Sequence, residues 1–269
     1  MADLHVDHHA YTGEGEEDTS LLLIHGWGMH GGMWRDMAEK LARHFHVYAV
    51  DLPGHGHSSG RKESKASFTL DSVVDELSEQ FTGPLAVCGW SLGGQIALRW
   101  ALRHPHQVSR LVLVASTPCF VRLDDWKFAL GVEILEEFAA NLRQNYALTL
   151  RRFLSLQMRG SEQEREILAV MRDGLLSRGE PELDALQSGL EILRSSDLRG
   201  ALPELKQAAL VLAGERDTLI PLQATEFLAT GISSGRLAII KGAAHAPFLT
   251  HPGEFLEQVV NFMGEDEHG

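Results

Sequence analysis

The chain has only two cysteines in 269 residues, Cys88 and Cys119, too few to read as a disulfide framework. It is short of basic charge. Against 24 lysines and arginines stand 37 acids, a formal net charge of −13, which excludes a broad polyanion-binding surface and with it a nucleic-acid partner. No apolar run approaches the roughly 20 residues of a membrane span. The first residues, Met1-Ala2-Asp3-Leu4-His5, lack the apolar stretch of a secretory signal. The expectation is a soluble, cytoplasmic monomer with no membrane partner. A phosphate loop, a dinucleotide fingerprint and a metal-ligand spacing are also missing, and Gly54-His55-Gly56 is too short for a dinucleotide turn. No cofactor and no metal are expected.

What is present is a hydrophobic fraction of 44%, enough for a sizeable core. Its residues come in short runs at 21–24, 47–50, 85–88, 111–115, 208–213 and 236–240, with little polar alternation. Strands buried on both faces of a mainly parallel sheet have this pattern. Residues 5–11 could add an edge strand. Helical patterns at 33–44, 70–81 and 93–104 separate several of the runs, and such alternation specifies an α/β fold. The alternation stops between 117 and 197. There the pattern is helix after helix, at 124–144, 148–158, 162–177 and 182–193. The expected organisation is an α/β core made of residues 1–116 and 198–269, with residues 117–197 as a helical cap inserted after the sixth strand.

Gly89-Trp90-Ser91-Leu92-Gly93 fits G-x-S-x-G, with a buried strand before it and a helix after it. That context suits a nucleophilic serine, because a sharp strand-to-helix turn holds the hydroxyl clear of the sheet. A serine hydroxyl needs a histidine to take its proton, and the histidine needs a carboxylate to set its tautomer. On this fold the chain order is serine, acid, histidine. The loop after the strand at 208–213 offers Asp217, with Glu215 as its rival closer to the strand end. The loop after 236–240 offers His245, following Gly242-Ala243-Ala244. A tetrahedral intermediate also needs two converging N–H donors. Candidates are the backbone N–H groups of Leu92 and of Trp27, the latter in His25-Gly26-Trp27-Gly28. Residues 51–58 form a Pro- and Gly-rich loop, expected to be structural.

In the cap, Phe153, Leu156 and Gln157 are spaced i, i+3, i+4 and are expected to share a face above the serine. From residue 141 to residue 161 there are four arginines (Arg143, Arg151, Arg152 and Arg159) and no acid. Such a patch could steer an acidic partner, or be a solvated helix face.

On the serine turn, Ala115-Ser116-Thr117-Pro118-Cys119-Phe120, Arg152-Phe153-Leu154-Ser155-Leu156-Gln157, Gly189-Leu190-Glu191-Ile192-Leu193 and Ala244-His245-Ala246-Pro247-Phe248, the sequence resembles the pimeloyl-acyl-carrier-protein methyl ester esterases of biotin synthesis. These are serine carboxylesterases of the α/β-hydrolase superfamily. The resemblance runs from about residue 21 to the last helix. It implies hydrolysis of the methyl ester of pimeloyl-acyl-carrier protein. It also implies substrate contacts from Trp27, Ser91, Leu92, Phe153, Leu154, Ser155, Leu156, Gln157 and His245. The resemblance puts Arg152, and less directly Arg165, at the carrier protein, and Arg159, seven residues after Arg152, is expected to share its helical face and join them. A general short-chain esterase or a carbon–carbon bond hydrolase would use the same triad, and a ligand sensor could keep the fold without catalysis.

Overall fold

The computed structural model describes residues 4–14, 19–58, 68–158, 164–175 and 177–265. Seven strands form one sheet: β1 (Val6–His9), β2 (Ser20–Ile24), β3 (His46–Val50), β4 (Leu85–Trp90), β5 (Val108–Val114), β6 (Ala208–Gly214) and β7 (Gly235–Ile240), in the spatial order β1-β3-β2-β4-β5-β6-β7. Only β1 runs antiparallel, paired with β3; the remaining ladders are parallel. Every residue of β4 is buried, as its continuous apolar run requires of a strand covered on both faces.

Helices α1 (Arg35–Leu41), α2 (Leu70–Gln80) and α3 (Leu92–Arg103) fill the early crossovers. The helical pattern at 33–44 resolves into a 3₁₀ turn, Gly31–Trp34, followed by the shorter α1. Between β5 and β6 lie α4 (Val132–Met158), α5 (Glu164–Leu175) and α6 (Leu183–Ser195). After β6 come α7 (Leu222–Gly231), α8 (Pro247–Thr250) and α9 (Pro252–Met263). Strand order runs leftward from β2 to β3 and rightward from β3 past β2 to β4. Right-handed crossovers therefore place α1 on one face of the sheet and α2, α3 and α7 on the other. The reversal between β2 and β4 opens a crevice beyond their carboxyl ends, where an α/β sheet characteristically binds its ligand. Ile24 pairs with Gly89 in the β2–β4 ladder, so the loop at 25–28 and Ser91 meet there.

Two expectations need correction. The helical insertion follows the fifth of the described strands, not the sixth, because among the described residues a single antiparallel edge strand precedes the parallel series. Helix does not begin at 124 either. Residues 117–131 form an irregular meander with isolated bridges Val121–Leu130 and Leu123–Trp126, and α4 starts at Val132. The Trp126 indole N–H donates to the Cys119 carbonyl at 3.0 Å, tying the meander to itself in place of a helix. At the neck of the insertion, Cys119 bridges Asp197 and the Leu198 N–H donates to the Pro118 carbonyl at 2.9 Å. α4 breaks at Asn145 (φ −155°, ψ 81°). The Asn145 side-chain oxygen accepts the Leu148 N–H at 3.1 Å, so one residue ends the first half and caps the second. Among the described residues, no helix is long and apolar enough to cross a membrane.

Candidate active site

Ser91 stands between β4 and α3 with φ 56° and ψ −114°, a region that costs a residue with a Cβ on the order of 1–3 kcal/mol. Two features hold it there. A Cβ on Gly89 would lie 2.2 Å from the Gly93 carbonyl oxygen, so only glycine lets strand and helix close so tightly. The Ser116 hydroxyl, at the end of the neighbouring strand, donates to the Ser91 carbonyl at 2.8 Å. Leu92 is the first residue of α3, and its N–H therefore has no acceptor within the helix. A Cβ at Gly26 would lie 3.4 Å from the Ser91 Cβ. The Trp27 loop thus packs directly against the serine turn.

That loop is anchored from below. The Leu52 N–H donates to His25 Nε2 at 3.0 Å, which leaves Nδ1 to carry the proton and donate to the Gly26 carbonyl at 2.8 Å. Burial, and then the neighbouring His55, push the His25 imidazole well below its ordinary range, so it is a neutral structural group. The Trp27 indole donates to the Leu186 carbonyl of α6 at 2.8 Å.

Asp217 and His245 come from loops after β6 and β7. His245 Nδ1 lies 2.8 Å from Asp217 Oδ2, and both side chains are 1% exposed. The other carboxylate oxygen accepts the N–H groups of Leu219 (2.8 Å) and Ile220 (3.0 Å). A carboxylate only accepts, so Nδ1 carries the proton and Nε2 offers a lone pair. His245 Nε2 is buried without a hydrogen-bond partner. The Trp90 indole donates to the His245 carbonyl at 2.8 Å, which holds the histidine loop against the residue preceding Ser91. Glu215 points elsewhere and accepts the Gly242 N–H at 3.0 Å. Both thiols are buried and their pKa values pushed up by that burial, which makes them poor nucleophiles at neutral pH.

The second half of α4 covers this arrangement. Leu150, Phe153, Leu154 and Gln157 are buried at spacings i, i+3, i+4 and i+7. Phe153 packs edge-on against Trp27 with ring centroids 4.8 Å apart. The helix end docks on the acid and histidine loops: the His245 N–H donates to the Gln157 carbonyl at 3.1 Å, and the Thr218 hydroxyl to the Leu156 carbonyl at 3.4 Å. The expected common face of Phe153, Leu156 and Gln157 is divided. Leu156 joins Arg152 and Ser155 in lining a cleft of about 590 Å³ whose other wall is Ile134, Glu137, Phe138 and Asn141 from the first half of α4. The kink at Asn145 causes this, because it folds the two halves of α4 toward each other. Arg152 is exposed at the cleft. Arg159 lies outside the described residues, as does the Arg165 side chain.

Sequence reasoning missed an ionic cluster beneath the site. Asp51 is fully buried and accepts from the Gly31 N–H (2.6 Å), the His57 N–H (2.8 Å) and Arg178 Nη1 (3.0 Å to each oxygen). Arg178, between α5 and α6, also binds Asp7 of β1. Burial works against the Arg178 charge, yet its bonds to Asp7 and Asp51 raise its pKa overall. Sequence separations of 127 and 171 residues leave no local signal for this cluster.

A family model described as the alpha/beta hydrolase fold matches residues 19–252. A pimeloyl-acyl-carrier-protein methyl ester esterase of Nitrosomonas europaea is 42% identical, over 95% of this chain and 98% of its own. A protein of the same name from Xanthomonas oryzae is 41% identical, over 91% and 94%. Among solved structures, an esterase from Exiguobacterium antarcticum superposes with a TM-score of 0.85 at 20% identity, covering 98% of this chain and 96% of that one; this likeness speaks for the fold. Sheet topology, family match and full-length relatives agree: the chain belongs to the alpha/beta hydrolase fold family and, within it, to the family of the pimeloyl-acyl-carrier-protein methyl ester esterases.

Proposed function

We propose that this protein is a serine carboxylesterase that hydrolyses the methyl ester of a pimeloyl chain carried on acyl-carrier protein. The full-length likeness to relatives of that name carries the reading. In the proposed mechanism His245 Nε2 takes the Ser91 proton, and Oγ attacks the ester carbonyl. The N–H groups of Trp27 and Leu92 hold the oxyanion. Methanol leaves with the proton from His245, and water then releases the ω-carboxylate from Ser91. The fixed Asp217–His245 pair and the strained, glycine-flanked Ser91 support these roles.

Residues 117–197, which carry the helices between β5 and β6, act in this reading as a cap over the core. Phe153, Leu154 and Gln157 close the acyl site from above, and Ser155 and Leu156 line the adjoining cleft. That cleft mixes apolar walls with Asn141, Thr149 and Ser155, which suits a methylene chain continuing into a polar tether. Arg152, with Arg159 and Arg165, would face the acidic carrier protein and draw it in despite the overall negative charge. A cytoplasmic monomer completes the proposal.

The deciding assay compares methyl pimeloyl-acyl-carrier protein with short p-nitrophenyl esters, using purified protein. Preference for the carrier-bound ester by at least tenfold in kcat/KM is expected, together with fluorophosphonate labelling of Ser91 that Ser91→Ala abolishes. Charge reversal at Arg152 and Arg159 should lower turnover of the carrier-bound ester and spare the small one. Equal turnover of all esters would leave a generalist esterase; failure of Ser91 to label would remove the serine mechanism.

A further inference from the structure

Gln157 Oε1 and His245 Nε2 are both buried side-chain acceptors without a hydrogen-bond partner, and their residues are joined by a backbone hydrogen bond of 3.1 Å. Buried polar atoms are nearly always paired, so an orphan on a residue whose backbone is bonded to the candidate catalytic histidine points to a partner that arrives during function. Gln157 is 2% exposed. Its position follows from the buried row on α4. A Cβ at Gly28 would touch the Leu150 side chain at 2.9 Å, Phe153 packs on Trp27, and Gln157 stands at the histidine end of the same row.

In the acyl-enzyme Ser91 Oγ is esterified and has no proton to donate to His245 Nε2, so a single partner that satisfies both acceptors at that stage must donate twice. An aliphatic methyl ester brings no O–H or N–H to its reacting end. Water brings two, and the acyl-enzyme needs it. We propose that Gln157 is a catalytic residue of the second half-reaction, in which Oε1 accepts one hydrogen of the attacking water while His245 Nε2 accepts the other. The water oxygen bonds to the acyl carbon, the carbonyl electron pair moves onto the oxyanion, and one water proton passes to Nε2. Collapse of the intermediate breaks the bond between the acyl carbon and Ser91 Oγ. Oγ takes the proton back from His245, and the second hydrogen leaves on the carboxylic acid. This rests on the esterase reading above.

The test uses an alternative nucleophile. Methanol has one O–H, which His245 takes, so methanolysis of the acyl-enzyme does not need Gln157. Gln157→Met, similar in length but without the carbonyl, and Gln157→Leu are assayed in parallel with p-nitrophenyl butyrate and added methanol. Because the substitutions change only the side chain, the backbone bond from His245 to residue 157 is retained. The expected result is a roughly tenfold or greater rise in the ratio of methyl butyrate to butyrate, with the hydrolytic rate falling further than the pre-steady-state nitrophenol burst rate. The ratio comes from one enzyme sample and is independent of the folded fraction. An unchanged ratio, or a burst rate that falls as much as the hydrolytic rate, overturns the proposal and leaves Gln157 a packing or substrate-binding residue. A wild-type enzyme that forms no Ser91 acyl-enzyme would instead sink the esterase reading itself.

Discussion

Replacing Asp217 by asparagine changes one atom of a buried side chain, and the hydrogen bonds around it dictate which atom. One carboxylate oxygen accepts the N–H groups of both Leu219 and Ile220, so that position must remain oxygen. The amide nitrogen is then forced to the position 2.8 Å from His245 Nδ1. An amide N–H there needs an acceptor, which drives the imidazole into the tautomer protonated at Nε2. In that form Nε2 cannot take the serine proton. Wrong-tautomer substitutions of this kind cost about 10⁴ in kcat, or about 5.4 kcal/mol of activation free energy. KM should change little, because Asp217 is buried behind His245. The assay is steady-state hydrolysis of p-nitrophenyl butyrate by Asp217→Asn, with a thermal melt of the same sample. A loss of less than about tenfold would refute the reasoning. So would a loss accompanied by a collapse in Tm, which would mean that the two backbone bonds had not held.

Ser91→Gly should abolish turnover yet raise stability by about 1 kcal/mol in urea unfolding, because glycine adopts φ 56° without the strain that serine bears; a destabilised variant would contradict this. Arg178→Met leaves the buried Asp51 carboxylate with only the Gly31 and His57 N–H groups. Breaking a buried pair costs about 3–5 kcal/mol, and these surviving bonds place the loss near the lower end. For a chain of this size that lowers Tm by about 6–12 °C, and a shift below about 2 °C would count against a structural role for the pair. Burial pushes the imidazoles of His25 and His55 below their ordinary range. Below about pH 6.5 the unfolded chain therefore binds protons that the folded state refuses, and stability falls as pH drops. Unfolding free energies from urea titrations between pH 7.5 and pH 5 should decline, by up to about 1.4 kcal/mol per pH unit for each such imidazole. His55→Asn should flatten the decline.

Much of the molecule was decided by short-range pattern. Apolar runs such as residues 85–88 bury in any parallel sheet, and Gly89-Trp90-Ser91-Leu92-Gly93 makes its turn from its own residues, since glycine at 89 is what lets strand and helix close. Alternating strand and helix then prescribed the fold class, likeness of motifs such as residues 115–120 and 152–157 pointed to the family, and chain order nominated positions 217 and 245. Tertiary structure decided what depends on residues far apart in sequence. It folded the two halves of α4, whose break the patterns at 124–144 and 148–158 already marked, toward each other and so separated Leu156 from Gln157, replaced the helix expected from 124 with a meander tied through Trp126, and joined Asp7, Asp51 and Arg178 into one buried cluster. It also laid the Gln157 carbonyl on the His245 N–H. The physical reason is that a periodic pattern encodes which face of an element is apolar, whereas a hydrogen bond or ion pair between distant loops is encoded by neither partner until the core has packed and brought them together.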